Sequence, residues 1–196
     1  MAPVGGVDRE RIQRAVSELL LAIGEDPSRP GLASTPERVA DAYAEFFDGL
    51  GRDPLALLSD SVPAGEHDTE AVVVRGIAFR SVCEHHLLPF LGTAHVAYLP
   101  GERVVGLGRL ARVVETLAAR PQLQERLTEE IADTLQHGLG ARGVLVVLDA
   151  VHGCVVARGS RQTGSSTVTV ASRGDLTDPA ARAEIMALMS SGGSER

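Results

Sequence analysis

Glu70-Ala-Val-Val-Val-Arg-Gly-Ile-Ala-Phe-Arg-Ser-Val-Cys-Glu-His-His-Leu-Leu-Pro-Phe-Leu-Gly-Thr-Ala-His-Val-Ala-Tyr-Leu99 is the stretch that decides the fold. Val72 and Val74, then Ile77 and Phe79, recur with a period of two. That spacing predicts a strand with one face on a core, interrupted near Gly76. The loop Cys83-Glu84-His85-His86 follows, and Gly92 to Leu99 predicts a second strand that closes a hairpin-like unit.

On the N-terminal side the period is helical. Asp8 is placed to cap a helix running to about Ile23, with Ile12, Val16, Leu19, Leu20 and Ile23 on one stripe. Gly24 and Asp26-Pro-Ser-Arg-Pro-Gly31 end it. Thr35 is expected to cap a second helix with Pro36 at its first position. Residues 49–68 read as a loop with one helical turn near Leu55–Leu58. On the C-terminal side two helices are expected, Arg109 to Ala119 and Pro121 to Leu139. The second carries Leu123, Leu127, Ile131, Leu135 and Leu139 at intervals of four. Val144 to Val151 predicts an apolar strand, and Val155–Ala157 and Thr167–Ala171 supply further strand material. Asp178 with Pro179 starts a terminal helix, and Ser190 to Arg196 is expected to fray. The order gives an α+β fold with a small antiparallel sheet and paired helices. Residues 1–68 form an N-terminal helical extension and 69–196 the main domain.

A chain of 196 residues, 44% hydrophobic and 23% charged, is long enough for a full core and ordinary for a globular protein. No apolar run approaches the ~18–20 residues of a membrane span. Met1 to Glu10 lacks a basic segment followed by an apolar one, so no secretory signal is expected and cytoplasm is the default. The net charge of −7 argues against general nucleic-acid or membrane binding. All nineteen basic residues are arginine, which excludes lysine Schiff-base chemistry.

The two cysteines fall in two clusters, Cys83-Glu84-His85-His86 and His152-Gly153-Cys154. One disulfide would also use both, but the flanking histidines favour a metal in a reducing compartment. Cys83 and His86, three apart, can be aimed at one point by a single turn. His152 and Cys154, two apart, leave the same face if their segment is extended. Three protein ligands plus a water is the pattern of a catalytic zinc site. Cys83, His86 and Cys154 are the favoured ligands, leaving His85 and His152 for proton transfer. Spacing alone leaves open which histidine ligates.

Arg109 and Arg112 share a face at the start of a predicted helix, where the helix end adds positive potential, and so suit a phosphate. Arg158 and Arg161 lie just beyond Cys154. Gln124 and Glu125 open the next helix, on the side away from its leucine stripe. A carboxylate there is placed to recognise paired N–H donors such as the edge of guanine.

Together Cys83-Glu-His-His-Leu-Leu-Pro-Phe90, His95-Val-Ala-Tyr98, Gly106-Leu-Gly-Arg-Leu-Ala-Arg112, Arg120-Pro-Gln-Leu-Gln-Glu-Arg-Leu-Thr128 and His152-Gly-Cys154 with Arg158-Gly159 resemble GTP cyclohydrolase I. Thr35-Pro-Glu-Arg-Val-Ala40 and Ser166-Thr-Val-Thr169 extend the resemblance to about residues 8–175. It implies a tunnelling (T-) fold assembled as a homodecamer with active sites between subunits. It implies a zinc ion on Cys83, His86 and Cys154, and conversion of GTP and water to 7,8-dihydroneopterin triphosphate and formate. By the same carry-over His152 protonates the purine N7, water attacks C8, and His85 assists proton movement. Glu125 with Gln124 holds the guanine edge, and Arg109, Arg112 and Arg158 bind the triphosphate. The product would feed folate, another pterin or a deazapurine metabolite.

This chain has Gly108-Arg109 where the family usually has Ser-Lys. A guanidinium still binds phosphate, but the missing hydroxyl at Gly108 raises the expectation that the later rearrangement is slower. Two other readings use the same residues: a variant that stops at the ring-opened formamidopyrimidine, and a non-catalytic zinc-stabilised scaffold. His85, His152 and Glu125 favour an enzyme, since a structural metal site needs none of them.

Overall fold

The computed structural model describes residues 6–66 and 70–190. The chain divides into two compact units, Met1–Arg52 and Asp53–Arg196. The smaller holds helices α1 (Arg9–Ala22) and α2 (Thr35–Phe46). Asp8 caps α1 through a hydrogen bond that its carboxylate accepts from Arg11 N–H at 2.9 Å. Thr35 does not cap α2. It is the first helical residue, and Ser34 precedes it without a side-chain cap. Tyr43 meets Phe46 and Phe47 edge-on within this unit.

The larger unit opens with a 3-10 turn at Leu55–Leu58, at the expected place. Leu58 is buried in this unit's core, which is why residues from Asp53 belong with it rather than with an extension reaching 68. Strand β1 (Val62–Pro63) comes next, and β2 (Val72–Cys83) and β3 (Pro89–Leu99) form the hairpin that the opening stretch predicts. Their register shifts between Val74 and Ile77, where Gly76 takes φ 71°, a conformation that glycine adopts without a Cβ penalty. Strand β4 (Arg103–Val104) pairs with β1 in a separate two-stranded sheet.

Helix α3 (Leu107–Ala118) is followed by β5 (Pro121–Gln122), then α4 (Gln124–Leu139), β6 (Gly143–His152), the short helix α5 (Gly153–Val156), β7 (Thr167–Gly174) and α6 (Pro179–Ser190). Asp178 caps α6 by accepting from the N–H groups of Ala180 and Ala181. Two expectations fail locally. Pro121 and Gln122 are not helical, because they pair in parallel with Val82 and Cys83. Val155–Ala157 does not supply a strand: Val155 and Val156 belong to the helical turn α5, and Ala157 caps it. Of the segment expected to fray, only Ser190 lies among the described residues.

The main sheet has the order β5-β2-β3-β6-β7. All its pairings are antiparallel except β2 with β5. Alternation sends Phe79, Phe90, Ala94, Val96, Val146 and Leu148 to one face, where Leu110, Val113, Val114 and Leu117 of α3 and Leu127, Ile131 and Leu135 of α4 complete the main core. On the other face Ala97 and Leu145 pack with Leu176, Ile185 and Met189. No helix among the described residues is long and apolar enough to cross a membrane.

Candidate metal centre and active site

Cys83 ends β2, and its backbone turns back on itself. Its N–H donates to Leu88 O and its carbonyl accepts from Leu87 N–H, each at 2.9 Å, with Leu87 at φ 51°. This closed turn carries His86 back over Cys83. Cys154 arrives from the end of β6. Gly153 must be glycine, since a Cβ there would lie 2.7 Å from Pro89 O. The sulfurs of Cys83 and Cys154 and a ring nitrogen of His86 lie within 4.8 Å of one another. The expected convergence therefore occurs, although α5 rather than an extended segment presents Cys154.

The donor set fits zinc. Tetrahedral bonds of about 2.0–2.3 Å to N and S place ligand atoms roughly 3.3–3.8 Å apart, and three protein donors leave one position open. Electrostatics point the same way. Burial first, then the adjacent Cys83, pushes the Cys154 thiol pKa up, as expected for two thiols crowded together. A divalent cation among them would reverse that cost.

Around this cluster stand several other groups. His86 Nε2 lies 2.8 Å from Arg158 Nη1. His85 is on the same turn, its ring edge-on to His86 at 6.4 Å. His152 is the last residue of β6, opposite Phe90 on β3, and the two rings stack at 4.7 Å and 6°. Burial lowers the His152 pKa, and the Glu125 carboxylate pulls against that shift. Glu125 itself is exposed at the start of α4. Gln124 is 1% exposed, with Oε1 2.6 Å from His152 Nε2. It does not lie away from the leucine stripe: three residues before Leu127 and seven before Ile131, it is on it.

Other predicted residues lie elsewhere. Gly108, Arg109 and Arg112 belong to the first turns of α3. That end of the helix lies near Tyr98, whose hydroxyl accepts from Val105 N–H, and Tyr98 is paired with Val72 at the start of β2. The other end of α3 leads into β5 beside Val82 and Cys83. Arg109 is thus about 15 Å of helix away from the metal turn at 1.5 Å per residue. Its guanidinium pairs with Asp60. Arg161 is exposed and has φ 52°.

One contact was not anticipated. Arg126 of α4 grips Glu84 with both amino groups, at 2.7 and 3.1 Å, and holds the Glu84 carboxyl below its usual range. With Glu84 N–H donating to Gln122 O at 3.1 Å, it ties the metal turn to the start of α4. The available sequence signal was the charge pair Glu84 and Arg126 flanking two motifs, which acquires meaning only once β5 aligns with β2.

A family model described as GTP cyclohydrolase I matches residues 12–190. The chain belongs to the GTP cyclohydrolase I family. The GTP cyclohydrolase 1 of Leifsonia xyli subsp. xyli is 67% identical over 95% of this chain and 98% of its own length. That of Rhodopirellula baltica is 54% identical over 96% and 82%, and that of Bacillus subtilis 52% identical over 92% and 95%. Among solved structures, the apo form of an archaeosine synthase QueF-Like covers 56% of this chain and 97% of its own, at 18% identity and TM-score 0.44. Membership of the GTP cyclohydrolase I family makes the α+β arrangement of antiparallel sheet and paired helices a tunnelling fold and the chain an enzyme of the hydrolase class.

Proposed function

We propose that this protein is a zinc-dependent GTP cyclohydrolase I that converts GTP and water to 7,8-dihydroneopterin triphosphate and formate. The observation that carries the reading is the Cys83, His86 and Cys154 cluster with His152 and Glu125 beside it, in a chain of this family. Cys83, His86 and Cys154 would hold the zinc, which would supply a water acidic enough to be deprotonated near neutral pH. Everything else is the work of side chains. Glu125 holds the paired N–H donors of the guanine edge. His152 gives a proton to N7, which makes C8 electrophilic, and His85 moves protons on the solvent side. Arg158, next to His86, and Arg109 and Arg112 take the triphosphate.

The separation of Arg109 and Arg112 from the metal turn supports an oligomer. One arrangement that brings both groups of residues to a single site takes the start of α3 from a second copy, as a homodecamer with interfacial sites does. Thiols serving as ligands rather than as a disulfide suit the cytoplasm.

A second reading rests on Gly108, which is exposed and lacks the hydroxyl that the family resemblance leads one to expect: the reaction stops at the ring-opened formamidopyrimidine. Incubation of zinc-loaded protein with GTP, with and without chelator, decides. Formate and a pterin that fluoresces after oxidation are expected, and the chelator should abolish both. Formate without pterin establishes the second reading. No formate from zinc-loaded protein refutes both and leaves a non-catalytic scaffold.

A further inference from the structure

Gln124 stands where the helix stripe calls for an apolar side chain, and its amide is wholly engaged within the protein. Nε2 lies 2.8 Å from Thr167 O, 3.2 Å from Leu148 O and 3.1 Å from Thr169 Oγ1. Two of these are main-chain carbonyls, which only accept. The NH₂ group must therefore face them, and Oε1 must face His152 Nε2, 2.6 Å away. A carbonyl oxygen cannot donate, so that ring nitrogen carries the hydrogen.

The surroundings leave Gln124 no other orientation. Thr128 Oγ1 donates to Gln124 O at 2.7 Å, so Thr169 must donate to Thr128 across their 2.6 Å contact. Thr169 in turn accepts from Gln124 Nε2. The ring of three residues closes with each hydroxyl hydrogen used once. The imidazole plane is held separately, by the Phe90 stack. His152 Nδ1 makes no hydrogen bond among the described residues and is not one of their buried orphan polar atoms, so it opens to solvent.

We propose that Gln124 is a positioning residue: it fixes His152 with its hydrogen on Nε2 and turns Nδ1 to the open side of the site, where it takes up a proton from solvent before passing it to the substrate. This rests on the proposed reaction and replaces the expectation that Gln124 helps hold guanine. A residue acting in this way lowers kcat when lost, whereas a guanine ligand would raise KM.

The test has two arms. In zinc-loaded protein labelled with ¹⁵N-histidine, at about pH 8.5 and so about two units above the ordinary imidazole pKa, His152 should show a protonated Nε2 and a bare Nδ1. Its signals are assigned by their loss in His152→Gln. A hydrogen on Nδ1 in the wild-type protein overturns the proposal whether or not any variant folds. In the kinetic arm, Gln124→Met should lose about 10- to 100-fold in kcat with KM for GTP within about threefold, while retaining zinc. A Gln124→Met variant with wild-type kcat and a raised KM overturns the proposal. Wild-type protein that turns over no GTP overturns the proposed reaction instead, and the nitrogen spectrum still decides the tautomer.

Discussion

Phe90 joins the core to the site, and its replacement separates the two roles. The ring is fully buried, edge-on to Phe79 at 6.1 Å and stacked on His152 at 4.7 Å. Truncation to alanine in such a core costs about 3–5 kcal/mol, of which the lost ring pairs account for about 1 kcal/mol each. At about 2–4 °C per kcal/mol for a unit of this size, Phe90→Ala should lower Tm by roughly 10 °C. Phe90→Leu refills most of the volume and should cost about 1–1.5 kcal/mol, or roughly 3 °C. The flat partner of His152 is gone in both. If the stack contributes about 0.5–1.5 kcal/mol to holding the imidazole, Phe90→Leu should lose about 2- to 10-fold in kcat despite its nearly intact stability. Thermal unfolding by circular dichroism, at one protein concentration because oligomer Tm values depend on it, and steady-state GTP turnover are the assays. Phe90→Leu with wild-type kcat would refute the role of the stack, and Phe90→Ala with an unchanged Tm would refute the placement of this ring in the core.

Other outcomes follow from the same geometry. Both thiols must lose a proton to bind zinc, and burial with the neighbouring Cys83 raises the Cys154 pKa. Zinc affinity should therefore fall as pH falls, by up to about a hundredfold per unit, measured by competition with a chromogenic chelator; a flat profile would rule out the thiols as ligands. Arg126→Met frees the metal turn from α4 and should speed zinc loss to a chelator, and the exchanged pair Glu84→Arg with Arg126→Glu should restore part of the retention. If the swap does no better than the single variant, the contact is incidental. A Cβ at Gly108 meets nothing within 4 Å, so Gly108→Ser should leave Tm unchanged. If the hydroxyl serves the later rearrangement, the same variant should reduce the ring-opened fraction of product, and an unchanged product ratio shows that it does not.

Local patterns carried most of the fold. Asp8, the bulge at Gly76, the turn at Leu55–Leu58 and the cap at Asp178 all read correctly, because each depends on residues within one or two turns of chain. What was not legible depends on pairing between distant segments. Pro121 and Gln122 look like a helix start, and only the nearby end of β2 makes them a strand. The convergence of Cys83, His86 and Cys154 was legible because cysteine is scarce here and histidine flanks both copies. The tie between Glu84 and Arg126 was not, since an exposed charge pair is common and uninformative. Gln124 does carry a local signal. Its spacing to Leu127 and Ile131 places it on the buried stripe, where a glutamine must be answered by internal partners.

The ladder between β3 and β6 runs without a break from Phe90 opposite His152 to Leu99 opposite Gly143. Side chains on a strand alternate, so this ladder acts as a gauge of chain length. One residue inserted near the end of β6, after Ala150, would leave Leu148 and Ala150 in the core, yet would send His152 to the far face, away from Gln124 and Phe90. Two inserted residues would restore the face but carry the imidazole past the metal turn. The chemistry of this protein is thus more sensitive to the spelling of a strand than its folding is, and insertions tolerated by the fold should be silent in circular dichroism and lethal to turnover.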